Sequence, residues 1–334
     1  MVVTFVVPTL NESAFLARCV QSIKRLTQPS CVSEFDIVVV DTGSTDQTLA
    51  IAATLGARVL QIAGATVAGA RNRGAQEARG EMLAFVDADC ELPVGWLVYG
   101  LEHLQQSNVV ATGTSLLAPP STATWVERHW HHLGYATPHA PSECVRWLPT
   151  SNLLVRRDAF DAVGGFDESL ITCEDCDFGY RLSRAHTLIL ENRVQTRHLR
   201  ESRTLAELFR REWWRGLGNL RTWRQNGWDR REFGSVVGPF LFMTAILAIV
   251  LTAALASMST MKPLWLALEA AAIGTVPALM LVKRGVGPHA GVSSFICSYV
   301  LACVYLSARG LALIDQRKAV EPVAVTKVQW DSRT

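Results

Sequence analysis

The chain carries almost no net charge, +2 over 334 residues. That balance excludes the strongly basic footprint of a nucleic-acid binder, and no nucleic-acid partner is expected. Cysteine is sparse: the 8 residues are scattered with no disulfide-framework spacing, which fits a reduced compartment. No secretory leader is expected. Met1-Val2-Val3-Thr4-Phe5-Val6-Val7 has no basic start, and Pro8 and Asn11-Glu12 cut the apolar run short. This segment reads as a strand, and the domain it opens is expected in the cytosol. There is no internal repeat and no low-complexity tract. The stretch from Pro8 to Glu12 has neither Gly nor Lys, so the chain lacks a basic glycine-rich phosphate loop near its start.

What the chain has in excess is apolar residues, 49% of the total, concentrated toward the C-terminal end. Three apolar segments lie at about 236–258, 264–282 and 292–314. Each is near the roughly 20 residues that cross a bilayer as a helix. The first carries no charge, the second contains Glu269 and Pro277, and the third contains Arg309. For the last two, a buried core helix is the alternative to a span. Just upstream, arginines including Arg210, Arg211 and Arg215 interleave with Trp213, Trp214, Trp223 and Trp228. A basic solvated helix would expose many tryptophans at a cost, so an interfacial helix is the preferred reading. The expected organisation is a cytosolic domain at 1–203, an Arg/Trp-rich interfacial segment at 204–235, transmembrane helices within 236–316 and a polar tail at 317–334.

The N-terminal part alternates strands and helices. Strand patterns fall at 2–7, 35–40 and 57–62, with helix patterns at about 13–26, 47–55 and 68–78 between and after them. Such alternation implies a mostly parallel sheet covered on both faces. The apolar run Met82-Leu83-Ala84-Phe85-Val86 then ends in Asp87-Ala88-Asp89. Carboxylates at the C-terminal end of a buried strand sit where open α/β sheets bind ligands. Alternation points Asp87 and Asp89 to one side, and two hard oxygen donors suit Mg²⁺ or Mn²⁺. Solvated acids at a strand end are the bland alternative.

Four patterns in order resemble the family 2 glycosyltransferases of GT-A type. They are Val6-Val7-Pro8-Thr9-Leu10-Asn11-Glu12; Val39-Val40-Asp41-Thr42-Gly43-Ser44-Thr45-Asp46; Gly69-Ala70-Arg71-Asn72-Arg73-Gly74 running on to Asp87-Ala88-Asp89; and Asn152 through Arg156-Arg157, Gly164-Gly165-Phe166-Asp167 and Glu174-Asp175-Cys176-Asp177. Where the family often has a second acid after Asp41, this chain has Thr42. The resemblance spans about residues 2–220. It implies an α/β fold, a GT-A-like mixed sheet flanked by helices, followed here by a helical membrane region. It further implies a UDP- or GDP-sugar donor held by Pro8, Thr9, Asn11, Glu12, Asp41, Ser44, Arg71 and Asp87, with Arg71 near the pyrophosphate. Mg²⁺ or Mn²⁺ would be held by Asp87 and Asp89, with His198 completing the site. Asp175 is the implied base, with Glu174 beside it; favourable acids at a helix N-terminus are the alternative for that pair. A surface histidine is the alternative for His198.

The expected activity is inverting transfer to a hydroxyl of a lipid-linked or cell-envelope glycan. Arg210, Arg211, Trp213 and Trp214 would face the acceptor and membrane. The expected location is a membrane, multi-pass, with the catalytic domain cytosolic, at a bacterial inner membrane. A nucleotidyltransferase acting on sugar nucleotides or lipid heads is the competing reading, weakened by the missing phosphate loop. Cys173-x-x-Cys176 suggests zinc or redox chemistry, but no second CxxC is present and chance occurrence is the preferred reading; His129-Trp130-His131-His132 could bind metal, but an acceptor-contacting or surface role is preferred.

Overall fold

The computed structural model describes residues 1–134, 140–230, 232–255, 262–286 and 291–315, with side chains described outside 253–255 and 262–272. They form two compact units. The first comprises Met1–Leu116 with Ala140–Leu199, and the second Leu117–His139 with Arg200–Gln316.

The first unit is built on a sheet of nine strands among the described residues: β1 (Val2–Thr9), β2 (Glu34–Asp41), β3 (Arg58–Gln61), β4 (Met82–Val86), β5 (Cys90–Glu91), β6 (Val109–Leu116), β7 (Ser142–Val145), β8 (Asn152–Arg156) and β9 (Thr187–His198). Their order is β3-β2-β1-β4-β8-β6-β9-β5, with β7 also on β9. The first four strands are parallel, as the strand–helix alternation implies. From β8 onward the sheet is mixed, because β8 runs antiparallel to both β4 and β6, while β9 runs parallel to β6.

Period-two alternation sorts the core into two layers. Val3, Phe5, Val7, Ala84 and Val86 face one side and pack with Leu16, Cys19, Val20 and Ile23 of α1 (Leu16–Lys24). Ala52 of α2 (Thr48–Thr54) and Trp96 and Leu97 of α4 (Trp96–Leu104) join the same layer. Val6, Val38, Val40, Leu83 and Phe85 face the other side. They meet Ala70 of α3 (Val67–Glu77), Phe160 of α6 (Arg157–Ala162) and Phe178 of α7 (Glu174–Leu182). Helix α3 lies close on β1 because Gly74 has no side chain: a Cβ there would overlap Val6 Cγ1.

The second unit is helical. It contains α5 (Trp125–Gly134), α8 (Leu205–Gly216), α9 (Asn219–Gln225), α10 (Phe233–Leu255), α11 (Lys262–Lys283) and α12 (Val292–Ile314). Helix α5 follows Pro119 and Pro120 closely, and its buried Trp130 packs on Tyr305 of α12. The Arg/Trp segment forms α8 and α9, and α8 opens with a Thr204–Glu207 capping box. Buried Glu212 of α8 binds Arg309 of α12 at 2.8 Å, so Arg309 is a partnered charge. Burial alone would push the Glu212 carboxyl up, but Arg309 and Arg215 hold it below its ordinary range. Among the described residues, Phe233–Thr252 and Val292–Ile314 are long and apolar enough to cross a membrane by length and composition. The second expected span is a helix with two lysines at its ends, and its described side chains cover only part of it. The end of the first expected span, 256–258, and the tail 317–334 lie outside the described residues.

Candidate active site

Strands β1, β2 and β4 are parallel, so their C-terminal ends gather at one edge of the sheet. At β1 and β2 this edge is zipped by polar contacts. Asn11 N donates to Ser44 Oγ at 2.8 Å, and Thr45 N donates to Asn11 Oδ1 at 2.8 Å. Glu12 N donates to Thr48 Oγ1 at 2.8 Å. Asp41 is buried, and its Oδ1 accepts from Gly43 N and Ser44 N at 3.0 and 2.9 Å, which shapes its own loop. Thr9 pairs with Asp41 across the strands, and its hydroxyl lies 3.4 Å from Asp41 Oδ2. Pro8 stands one position earlier, opposite Val40. The sequence-predicted nucleotide residues of the first two loops therefore form one wall.

Arg71 projects from α3 and is 3% exposed. Its Nη2 donates to Asp87 Oδ1 at 2.7 Å and its Nη1 to Glu174 Oε1 at 2.6 Å. The guanidinium also lies over the Phe166 ring, 5.8 Å from its centroid. Burial alone would pull the Arg71 pKa down, but the charges of Asp87 and Glu174 outweigh it and hold the pKa up. Both terminal nitrogens are occupied, so Arg71 bridges two acids, where the sequence suggests a pyrophosphate contact.

The next residue, Asn72, has a separate task that the sequence reading leaves unassigned. Its side chain donates to Phe166 O and accepts from Phe166 N, both at 2.9 Å. It thereby clamps the Gly164-Gly165 turn, in which both glycines have positive φ, 77° and 70°. Consecutive residues of the Arg71-Asn72 pair thus fix the acidic helix and the turn before it.

Glu174 and Asp175 open α7 behind Cys173, which caps the helix in a left-handed conformation with φ 67°. Glu174 is buried and Asp175 half-buried. Burial first, and then the Asp175 charge, push the Glu174 carboxyl up to about 7 against the pull of Arg71. Asp175 is thus the more accessible acid of the pair. Helix N-terminal acids are favourable, but burial of Glu174 against an arginine goes beyond a solvated cap.

Asp89 and His198 come together at the other side. Leu199 N donates to Asp89 O at 2.7 Å, and Cys90 pairs with His198 in the β5–β9 ladder. His198 Nε2 lies 3.6 Å from Asp89 Oδ1, with the two side chains 15% and 14% exposed. Among the described residues, the donor atoms that converge are those of Asp89, Cys90 and His198, and Asp87 instead holds Arg71. Carboxylate and imidazole donors fit a divalent cation.

Other motif residues are structural. Asn152 is fully buried: its Oδ1 accepts from Thr114 N and its Nδ2 donates to Thr114 O, which locks β8 to β6. Arg157 caps the C-terminal end of α3 through Ala75 O and Ala78 O, and Arg156 donates to Leu104 O. On α8, Arg210 is exposed and Trp214 is 43% exposed. Trp213 is half-buried, and Arg211 pairs with Glu201 at 2.9 Å. The His129–His132 run lies on α5, where His129 Nδ1 sits 2.8 Å from Trp125 O and burial pulls the His131 pKa down.

Residues 4–164 match the family model for glycosyl transferase family 2. Over that stretch the chain is similar to the family 2 glycosyl transferases. It is 27% identical over 235 residues to glycosyltransferase AglE of Haloferax volcanii, covering 66% of this chain and 74% of that protein. It is 29% identical over 193 residues to a pre-mycofactocin glycosyltransferase of Mycobacterium tuberculosis, covering 55% of this chain and 39% of that one. The match to the O-antigen biosynthesis protein RfbC of Myxococcus xanthus, 30% identical, spans only 14% of that protein. The chain thus spans about three quarters of the first of these relatives and less than half of the other two. Among solved structures, the fold is shared with a mannosyltransferase from Pyrobaculum calidifontis, in complex with GDP-Man and Mn²⁺. The TM-score is 0.60 at 19% identity, covering 96% of this chain and 88% of that one. It is also shared with GalNAc-T7 in complex with UDP, GalNAc and Mn²⁺, with a TM-score of 0.52 at 17% identity, covering 71% and 51%. The fold is thereby GT-A-like, and the matches favour glycosyl over nucleotidyl transfer.

Proposed function

We propose that this chain is a family 2 glycosyltransferase that moves a sugar from a nucleoside diphosphate donor to a hydroxyl of a lipid-linked or cell-envelope glycan, with inversion, at a membrane surface. The observation that carries this reading is the Arg71 bridge. Asp87 at a strand end and Glu174 at a helix start share one guanidinium, which supports reading the donor-side and acceptor-side acids as one site. The wall of Thr9, Asn11, Glu12, Asp41 and Ser44 is the natural seat for the nucleotide, in line with the UDP and GDP-Man named for proteins of the same fold. Asp89 and His198 would hold a divalent cation, Mg²⁺ or Mn²⁺, which supplies positive charge to a leaving diphosphate.

Asp175 takes the proton of the acceptor hydroxyl as that oxygen attacks the anomeric carbon. The bond to the diphosphate breaks in the same displacement, which inverts the centre. Glu174, neutral over more of the pH range because of its burial, limits charge repulsion next to Asp175. Arg71 is a positioning residue that keeps both acids in register.

The membrane part of the reading rests on the second unit. Helix α10 exposes Phe240, Leu241, Leu247, Val250 and Leu251, and α8 exposes Trp214 beside Arg210. Apolar faces of this kind suit lipid, and an Arg/Trp helix suits the headgroup layer. A multi-pass arrangement at a bacterial inner membrane, with the first unit cytosolic, is the expected setting. The test is a donor panel of UDP- and GDP-sugars with membrane extract as acceptor and mass spectrometry of the product. A glycosylated lipid is expected from one donor. Transfer only to soluble acceptors would remove the membrane part, and release of inorganic pyrophosphate from a nucleoside triphosphate would favour the nucleotidyltransferase alternative.

A further inference from the structure

Position 90 follows directly on the strand-end acids and is a fully buried cysteine. It has no place in the proposed transfer, yet its sulfur is one of the converging donors. The carboxylate of Asp89, the thiol of Cys90 and the imidazole of His198 each offer an atom, and all three atoms lie within 4.8 Å of one another. Cys90 Sγ is 3.9 Å from Asp89 Oδ1, and His198 Nε2 is 3.6 Å from the same oxygen. In a tetrahedral zinc-type site, bond lengths of about 2.0–2.3 Å put neighbouring ligand atoms roughly 3.3–3.8 Å apart. The observed separations need only small side-chain adjustments to reach that range. The backbone already fixes two of the three donors, because Cys90 and His198 are direct partners across the antiparallel β5–β9 ladder.

We propose that Asp89, Cys90 and His198 form a three-donor site selective for borderline and soft divalent cations of the Zn²⁺, Co²⁺ and Cd²⁺ class, with Cys90 the selecting ligand. The proposal rests on the reading that a cation binds at Asp89 and His198, and it adds a preference that carboxylates alone would not give. Mg²⁺ takes oxygen ligands in near-ideal octahedral geometry and gains nothing from sulfur. A thiolate favours softer ions, and an O/N/S set suits zinc-like ions. The sulfur enters as the thiolate, with its proton lost to solvent. The consequence is that a thiophilic ion competes for the place of the hard ion that serves the leaving diphosphate. A second thiol, Cys19, lies close by but is turned to the backbone, with Sγ 3.5 Å from Asp87 O, and is not among the converging donors.

The test is a Co²⁺ titration of the full chain in detergent, without donor, followed by absorption spectroscopy. The expected result is one bound Co²⁺ with a sulfur-to-cobalt charge-transfer band. Cys90→Ser should lose the band, while Cys31→Ser, at an exposed cysteine, should retain it. Zn²⁺ should displace the cobalt at far lower concentration than Mg²⁺, and Cys90→Ser should narrow that gap by roughly tenfold or more. Bound cobalt with visible d–d bands and no sulfur band would overturn this proposal and leave the cation site standing. No cobalt binding at all would overturn both. A band that persists in Cys90→Ser would assign the sulfur to another cysteine and overturn the proposal. If Cys90→Ser does not fold, X-ray absorption of the cobalt-loaded wild type decides: one sulfur scatterer supports the site and none rejects it.

Discussion

Arg71 and Glu174 are 103 residues apart in the chain, and their side chains meet at 2.6 Å in the interior. The same guanidinium holds Asp87 at 2.7 Å. Removing one partner from a buried ion pair leaves the other uncompensated, at a cost of about 3–5 kcal/mol. Arg71→Ala is therefore expected to lose about that much stability in chemical denaturation, and to lose transfer. Arg71→Met combined with Glu174→Gln should recover part of the stability, because the buried Glu174 is no longer an uncompensated charge while the more exposed Asp87 still loses its partner, and transfer should stay low. Equal turnover in the double variant and the wild type would show that the bridge has no part in the reaction.

Glu174 gives a pH signature. Its carboxyl is raised from 4.5 to about 7 in the folded chain. Over that window the folded state holds a proton that the unfolded state has released, so stability falls as pH rises from about 4.5 to about 7. Glu174→Gln has nothing to titrate. Its stability relative to the wild type should rise across the same window and level off above it. A flat difference between the two in denaturation at several pH values would contradict the burial argument.

Much of this was legible in the sequence where local pattern and tertiary place agree. The alternation of Val3, Phe5 and Val7 against Val6 fixes both faces of β1, and the strand expected at 35–40 lies within Glu34–Asp41. The mixed half was not legible. Strand β6 carries Thr112, Gly113, Thr114 and Ser115, small residues without apolar alternation, and it is held by the distant Asn152. Helix α5 hides among prolines because its burial comes from Leu208, Leu301 and Tyr305 further along the chain. At the site, the acids and His198 stand out by type, but the Arg71 bridge is a long-range contact. Cys90 carries no local signal beyond its place next to Asp89; only the β5–β9 pairing brings it to His198.

Cation removal follows from the Asp89–His198 approach of 3.6 Å. Excess chelator should abolish transfer, and added Mn²⁺ or Mg²⁺ should restore it. Asp89→Ala should be inactive at any cation concentration, whereas His198→Ala should be partly rescued by excess cation, since one donor of several is lost. Full activity in chelator would exclude the cation from the reaction.

The second unit makes its own prediction. Replacing Trp213 and Trp214 by Ala should weaken transfer to a membrane-borne acceptor more than donor binding, because Trp214 is exposed and suited to the interface. Flotation with liposomes containing anionic lipid should show reduced association of the variant. Unchanged flotation and unchanged transfer would remove α8 from the membrane reading.

The central claim is that Asp175 serves as the base in a single displacement. Asp175→Asn keeps the size and much of the hydrogen bonding of the side chain but cannot take a proton. The direct measurement compares this variant with the wild type for donor binding by calorimetry and for turnover with the product examined by NMR. Donor affinity should be nearly unchanged, turnover should fall roughly 10²–10⁴-fold, and the wild-type product should have inverted anomeric configuration. Near-normal turnover in Asp175→Asn, or a wild-type product with retained configuration, would contradict the account.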